Sequence, residues 1–251
     1  MKNIIVHGHR GSKGTSTENT LPSFKDARDA HADFVEFDVH LSKDQELVVF
    51  HDFVVSGKLC RDESGNRLTA SIPISELTVS ELKKLDCGSS DAKIPTLKEL
   101  IEWKLKEAPG LKLNVEIKND PTKDLDAKHA KALAKATIDL LKKYDLLKES
   151  LVQSFDFNVV RELRKLDVFV KLSCLFEHDA DFAKVVVANQ AQVASIHHSL
   201  VTRDKVQACE EARIEVMVWT VNEEKDWQRV IDAGVMSLIT DFPKRLKNYL
   251  S

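Results

Sequence analysis

No stretch of the chain is apolar for long enough to cross a bilayer, and the opening residues Met1-Lys2-Asn3-Ile4-Ile5-Val6-His7 begin a strand without the apolar run of a secretory leader. Those absences lead us to expect a cytoplasmic protein with no membrane partner. An excess of basic charge is missing too. Lys and Arg number 37 against 40 Asp and Glu, a formal net charge of -3, so no whole-chain positive field exists to attract nucleic acid. Cys60, Cys87, Cys174 and Cys209 lack metal-type spacing such as C-x-x-C, and in a cytosolic setting they read as isolated reduced thiols. No internal repeat or low-complexity tract appears.

What the chain does have is length and apolar content for a sizeable core, with 251 residues of which 43% are hydrophobic. Apolar, β-branched runs alternate with helical patterns from end to end, which argues for a parallel sheet flanked by helices. Candidate strands fall at residues 3–8, 33–41, 111–118, 151–155, 169–175, 193–196, 215–221 and 237–240. Helical patterns lie between and after them, at residues 20–31, 96–106, 125–144, 158–165, 180–189, 203–212, 223–233 and 244–250. Eight such units in this length predict an α/β fold of the TIM (β/α)8 type, one domain over residues 1–251. Gly234 is placed to cap one helix and Pro243 to start the last. The rhythm stops only at residues 52–95, where one weak helical piece (75–85) stands among Gly57, Gly65, Pro73 and Gly88. That segment reads as an insertion after the second strand, folded over one end of the barrel. The Lys-rich pattern at residues 128–143 reads as a solvated face.

Alternate residues of a strand share a face, so Glu36, Asp38 and His40 point one way and Val35, Phe37, Val39 and Leu41 the other. The third strand repeats the pattern, with Lys112, Asn114, Glu116 and Lys118 opposed to Leu111, Leu113, Val115 and Ile117. Carboxylates about 6 to 7 Å apart along one buried face raise each other's energy unless a cation intervenes. Glu36, Asp38 and Glu116 therefore read as ligands for a hard divalent cation, Mg²⁺ or Ca²⁺, since no Cys or His cluster accompanies them. The alternative is an internal ion-pair network with Arg10 and Lys118.

Functional groups of such a barrel gather at the C-terminal ends of its strands. His9 and Arg10 end the first strand, Lys118 the third, and His51 follows the apolar run 46–50. Two imidazoles flanking a phosphate can share proton transfer, one as base and one as acid, while Arg10 and Lys118 balance charge on its oxygens. Gly11 and Gly14 suit either a plain turn or a phosphate cradle, and Asn19 or Thr20 a helix cap. Trp219, at the end of the seventh strand, suits the wall of an organic subsite or the core.

His9-Arg10-Gly11, Glu18-Asn19-Thr20, Glu36-x-Asp38, His51-Asp52, Glu116-x-Lys118 and Trp219-Thr220-Val221-Asn222, in that order over nearly the whole chain, resemble the glycerophosphodiester phosphodiesterase family. Leu85-Asp86-Cys87-Gly88, Ile94-Pro95-Thr96-Leu97, Ser154-Phe155-Asp156 and Thr240-Asp241-Phe242-Pro243 agree with it. The resemblance implies a TIM barrel with a small insertion and metal-dependent hydrolysis of glycerophosphodiesters to sn-glycerol 3-phosphate and an alcohol such as choline or ethanolamine. It implies metal ligands at Glu36, Asp38 and Glu116, acid/base residues at His9 and His51, phosphate contacts at Arg10 and Lys118, and Trp219 beside the glycerol. Thr17 stands where the family usually has proline, and His31 and Gln45 where it has glycine, which questions local turn geometry.

Two other readings use the same residues. An amidohydrolase-type barrel would take a transition metal on His7, His9, a histidine at 197 or 198, and Asp241, but it leaves the three acids idle and finds Leu175-Phe176-Glu177 at strand five. A non-catalytic barrel binding a phosphorylated metabolite would have no use for a second histidine. Residue order leaves open which histidine is the acid, whether water or the glycerol 2-hydroxyl attacks, the head group preferred and the oligomeric state.

Overall fold

A computed structural model describes residues 4–88, 93–119 and 127–251. Eight parallel strands form the barrel: β1 (Ile5–Gly8), β2 (Phe34–Leu41), β3 (Lys112–Ile117), β4 (Ser150–Ser154), β5 (Lys171–Phe176), β6 (Val193–His197), β7 (Glu215–Trp219) and β8 (Ser237–Thr240). Each neighbour pairs in parallel with the next, and β1 pairs with both β8 and β2, which closes the ring. The outer helices are α1 (Leu21–Asp29), α2 (Leu97–Glu107), α3 (Lys128–Lys143), α4 (Phe157–Leu166), α5 (Phe182–Ala188), α6 (Arg203–Glu211), α7 (Glu224–Asp232) and α8 (Pro243–Leu250). The predicted strand start at residue 3 and helix start at residues 125–126 lie outside the described residues.

The strand alternation sorts the core into two layers. Val6, Val35, Phe37, Val39, Leu113 and Val115 face outward and pack against apolar stripes of the helices. Leu151, Val193, Met217 and Ile239 fill the barrel itself. Above them the interior turns polar, because β2 and β3 send Glu36, Asp38 and Glu116 inward. On α3 the lysines are exposed and Ala130, Leu133, Ala134, Ile138 and Leu141 are buried, as an amphipathic surface helix requires. No helix among the described residues is long and apolar enough to cross a membrane.

The insertion follows a short antiparallel strand, Leu47–Val49, hydrogen-bonded to the end of β2. That reversal returns His51 to the barrel mouth. The weak helical piece resolves into a single 3-10 turn, Ile74–Glu76, and the helix Val79–Leu82, whose N-terminus is held by a Thr78/Glu81 capping box. A satellite apolar cluster of Phe50, Val55, Cys60, Ile74, Leu82 and Cys87 holds the segment together.

The expectation of four reduced thiols is corrected here. Cys60 and Cys87 are direct cross-strand partners and form a disulfide, while Cys174 and Cys209 are free and buried. Their 27-residue separation carries no spacing signal; only the antiparallel pairing of Cys60–Arg61 with Asp86–Cys87 brings the sulfurs together.

His31 and Gln45 sit in the left-handed region, at φ 56° and 62°. These are the turns where glycine is usual in the resembling family, and both side chains are exposed. An L-residue there costs about 1–2 kcal/mol, partly offset by glycine's greater freedom when unfolded. Gln45→Gly and His31→Gly should each raise stability by about 0.5–1 kcal/mol in urea unfolding; a loss of stability in both would contradict this account of the turns.

Candidate active site

At the C-terminal end of the barrel a cavity of about 90 Å³ is lined by His9, Arg10, Glu36, His51, Glu116, Lys118 and Trp219. These are all the predicted site residues except Asp38, which is buried, 3.4 Å from Arg10 Nε and 3.7 Å from Lys118 Nζ. Carboxylate oxygens of Glu36, Asp38 and Glu116 lie within 4.8 Å of one another, the one such cluster of potential metal ligands among the described residues. Their fractional exposures are 1%, 1% and 8%.

Each acid is fixed through one oxygen. Glu36 Oε2 accepts from the Arg10 backbone N–H at 2.8 Å, Asp38 Oδ2 from Asn19 Nδ2 at 2.8 Å, and Glu116 Oε1 from Lys118 Nζ at 2.8 Å. The predicted ion-pair network is therefore present, but three carboxylates against two cations leave one charge uncompensated. Arg10 is in addition shared with Glu18, at 2.7 Å. Burial and the charges of Asp38 and Glu116 push the Glu36 carboxyl well above its ordinary range. Glu116 is raised by the same burial, against the pull of Lys118. Asp38 is pushed up by burial yet brought down to about 2 by Lys118 and Arg10. Three hard oxygen donors at this spacing, two of them raised by burial and mutual repulsion, fit a divalent cation, which would relieve that repulsion.

The two histidines are mounted alike. His9 Nδ1 lies 2.5 Å from Asp241 Oδ1, and His51 Nδ1 lies 2.7 Å from Asp52 Oδ1. A carboxylate only accepts, so Nδ1 carries the hydrogen in each and Nε2 is left for chemistry. Burial lowers both imidazoles below their ordinary value, opposed at His9 by Asp241 and at His51 by Asp38. Asn222 in turn grips Asp241, donating to Oδ2 at 2.7 Å and accepting its backbone N–H at 2.9 Å. The imidazole of His40, buried at the end of β2, lies with Nε2 3.2 Å from the His51 carbonyl oxygen.

Asp52, Asp241 and Asn222 stand within motifs of the sequence, but residue order alone gives them no part in orienting the histidines. The available signal was their placement: Asp52 adjoins His51, and Asp241 follows β8 directly. Glu18-Asn19-Thr20 now divides into three tasks. Glu18 pairs with Arg10, Asn19 holds Asp38, and Thr20 caps α1 through the Ser23 N–H. Gly11 and Gly14 make no phosphate cradle, because their N–H groups already donate, from Gly11 to Gly8 and Glu36 and from Gly14 to Asp241. Gly11 needs its φ of +89° and the space a Cβ would take from Ser23; at Gly14 a Cβ would meet the Phe242 ring at 2.1 Å. Trp219 lies in the cavity wall, with Nε1 donating to the Ser195 carbonyl at 3.1 Å.

The amidohydrolase arrangement is not formed. His7 stacks on Phe34 inside the barrel with Nε2 2.9 Å from Ser237 Oγ, and His198 contacts Arg229. Asp241 is committed to His9. Burial drives His7 down to about 3, so the folded barrel keeps it neutral while the unfolded chain takes up a proton below about 6.5. Protonation of the unfolded state destabilises the native protein as pH falls. Between pH 7 and 5 the native protein should lose about 2 kcal/mol more than the His7→Gln variant in urea unfolding; parallel losses would contradict the neutral, buried state of His7.

The model of the glycerophosphoryl diester phosphodiesterase family matches residues 9–245. The glycerophosphodiester phosphodiesterase of Caldanaerobacter subterraneus subsp. tengcongensis is 29% identical over 99% of this chain and 98% of its own length. A phosphodiesterase of Oleispira antarctica, solved in complex with the product sn-glycerol-3-phosphate, superposes with a TM-score of 0.85 at 25% identity, covering 98% of this chain and 96% of that one. A glycerophosphodiester phosphodiesterase of Parabacteroides distasonis gives 0.85 at 26% identity, covering 99% and 97%.

Proposed function

Because the chain belongs to the glycerophosphoryl diester phosphodiesterase family, we propose that it hydrolyses glycerophosphodiesters to sn-glycerol 3-phosphate and an alcohol, with a divalent cation and two histidines. The observation that carries this reading is a cluster of three buried carboxylates, two of them in the wall of a cavity that two carboxylate-anchored imidazoles also line. The product held by the Oleispira antarctica relative supports the choice of ester.

Glu36, Asp38 and Glu116 would hold the cation, Mg²⁺ or Ca²⁺. When bound, it supplies Lewis-acid stabilisation of charge on the phosphate oxygens. Arg10 and Lys118, pinned by their acidic partners, present fixed positive charge to the same oxygens without reorganising during reaction. Nε2 of one histidine accepts the proton of the attacking hydroxyl and Nε2 of the other returns one to the departing alkoxide, so in the active form one Nε2 is bare and the other protonated. His51 lines a second, outer cavity as well as the inner one, whereas His9 lines only the inner. That asymmetry supports His51 as donor to the leaving alcohol and His9 as base. Asp241, Asn222 and Asp52 keep the rings in the tautomer that exposes Nε2. A non-catalytic binding barrel leaves that double mounting without a use.

A coupled assay of glycerol 3-phosphate release tests the proposal. Product should form from glycerophosphocholine or glycerophosphoethanolamine with Mg²⁺ or Ca²⁺ and cease in EDTA; turnover undiminished by the chelator would refute the metal site. His9→Ala and His51→Ala should each lower kcat by about 10²- to 10⁴-fold at unchanged unfolding temperature, and near-normal rates in either would remove that histidine from the mechanism. Asn19→Ala, which strips a donor from Asp38, should raise the cation concentration needed for half-activity by about 10- to 100-fold; an unaltered metal titration would separate Asn19 from the site.

A further inference from the structure

Beside the catalytic cavity lies a wider one of about 370 Å³ that shares His51, Glu116, Lys118, Phe155 and Trp219 with it. Three rings line it: Phe53 from the insertion, Phe155 just after β4 and Trp219 at the end of β7. Phe53 and Phe155 are 39% and 41% exposed. Phe155 stands edge-on to Trp219, with centroids 5.5 Å apart. Large rings left open to water around a concavity mark a place where something else covers them.

Among the described residues two carboxylates that take no part in the metal cluster also line this cavity, and they differ. Asp156 is occupied, accepting the Asn158 N–H at the start of α4 through Oδ1 and Asn119 Nδ2 through Oδ2. Glu177, exposed just beyond β5, has no hydrogen bond or ion pair among the described residues. Among the described residues the one lysine of the wall is Lys118, which is engaged by Glu116 at 2.8 Å and Asp38 at 3.7 Å. The cavity therefore offers aromatic faces and a free negative charge, the combination that recognises an ammonium group.

We infer that this outer cavity receives the alcohol half of the substrate and selects cationic alcohols, with Glu177 supplying the charge and Phe53, Phe155 and Trp219 the walls. The inference rests on the hydrolase reading above and adds its substrate class. A primary or quaternary ammonium seated there lies beside His51, where the ester oxygen needs its proton. A neutral polyol gains neither the ion pair nor the cation–π contact.

The test compares kcat/KM of the full chain with Mg²⁺ for glycerophosphocholine, glycerophosphoethanolamine and the neutral-headed glycerophosphoglycerol. The cationic esters should be preferred by roughly tenfold at low salt, and the preference should shrink as ionic strength rises. Glu177→Gln should cut the cationic-to-neutral ratio by roughly three- to tenfold, Glu177→Asp should restore most of it, and Phe155→Ala should lower it by a different route. A ratio unchanged by both Glu177→Gln and Phe155→Ala overturns the inference and leaves the hydrolase reading intact. Failure to release glycerol 3-phosphate from any of the three esters overturns the hydrolase reading itself.

Discussion

Mutual repulsion among three buried carboxylates organises the mouth of this barrel. Glu36, Asp38 and Glu116 are brought within 4.8 Å by the register of β2 against β3, which sets Asp38 directly beside Glu116. Water cannot screen them there, so each must find a partner or stay protonated. Arg10, Lys118 and Asn19 each answer part of that demand, and what they leave unanswered is the charge a divalent cation carries. The left-handed backbone at Arg10 and Asn19, φ 47° and 57°, belongs to the same solution. It turns the Arg10 N–H onto Glu36 and the Asn19 amide onto Asp38, and strain of that kind is sustained only where the surroundings fix it.

The same constraint explains why reactive and supporting groups come from so many elements. A parallel barrel delivers one or two side chains from the end of each strand, so a site for a diester has to be assembled from several. His9 and Arg10 follow β1 directly, Lys118 follows β3, Trp219 ends β7 and Asp241 follows β8. His51 comes instead from the antiparallel return after β2, and Phe53, two residues on at the start of the insertion, lines the outer cavity with it.

Much of this was legible in the order of residues, because it depends on period-two alternation and on strand ends. The eight strands and the inward row Glu36, Asp38 and Glu116 follow from that rule alone, as does the outward row Val35, Phe37, Val39 that packs against the helices. What was not legible depends on contacts between distant segments. Cys60 and Cys87 are joined by a hairpin register that no spacing encodes. The Asn222–Asp241–His9 chain spans 232 positions between its histidine and its acid. Gly11 and Gly14 looked able to cradle a phosphate, and only the described hydrogen bonds reveal that their N–H groups are spent within the turn. Glu177 carried no motif at all; only the fold sets it in one cavity wall with Phe53, Phe155 and Trp219, without a counter-ion among the described residues.

The account turns on whether the three acids share one ion. A crystal soaked in Mn²⁺ and measured at an anomalous wavelength tests this most directly. A single strong peak within coordination distance of Glu36, Asp38 and Glu116 together, lost in a Glu116→Gln crystal, is the expected result. Saturating Mn²⁺ that leaves no peak among those carboxylates, or a peak bound by other residues of the barrel mouth, would contradict it.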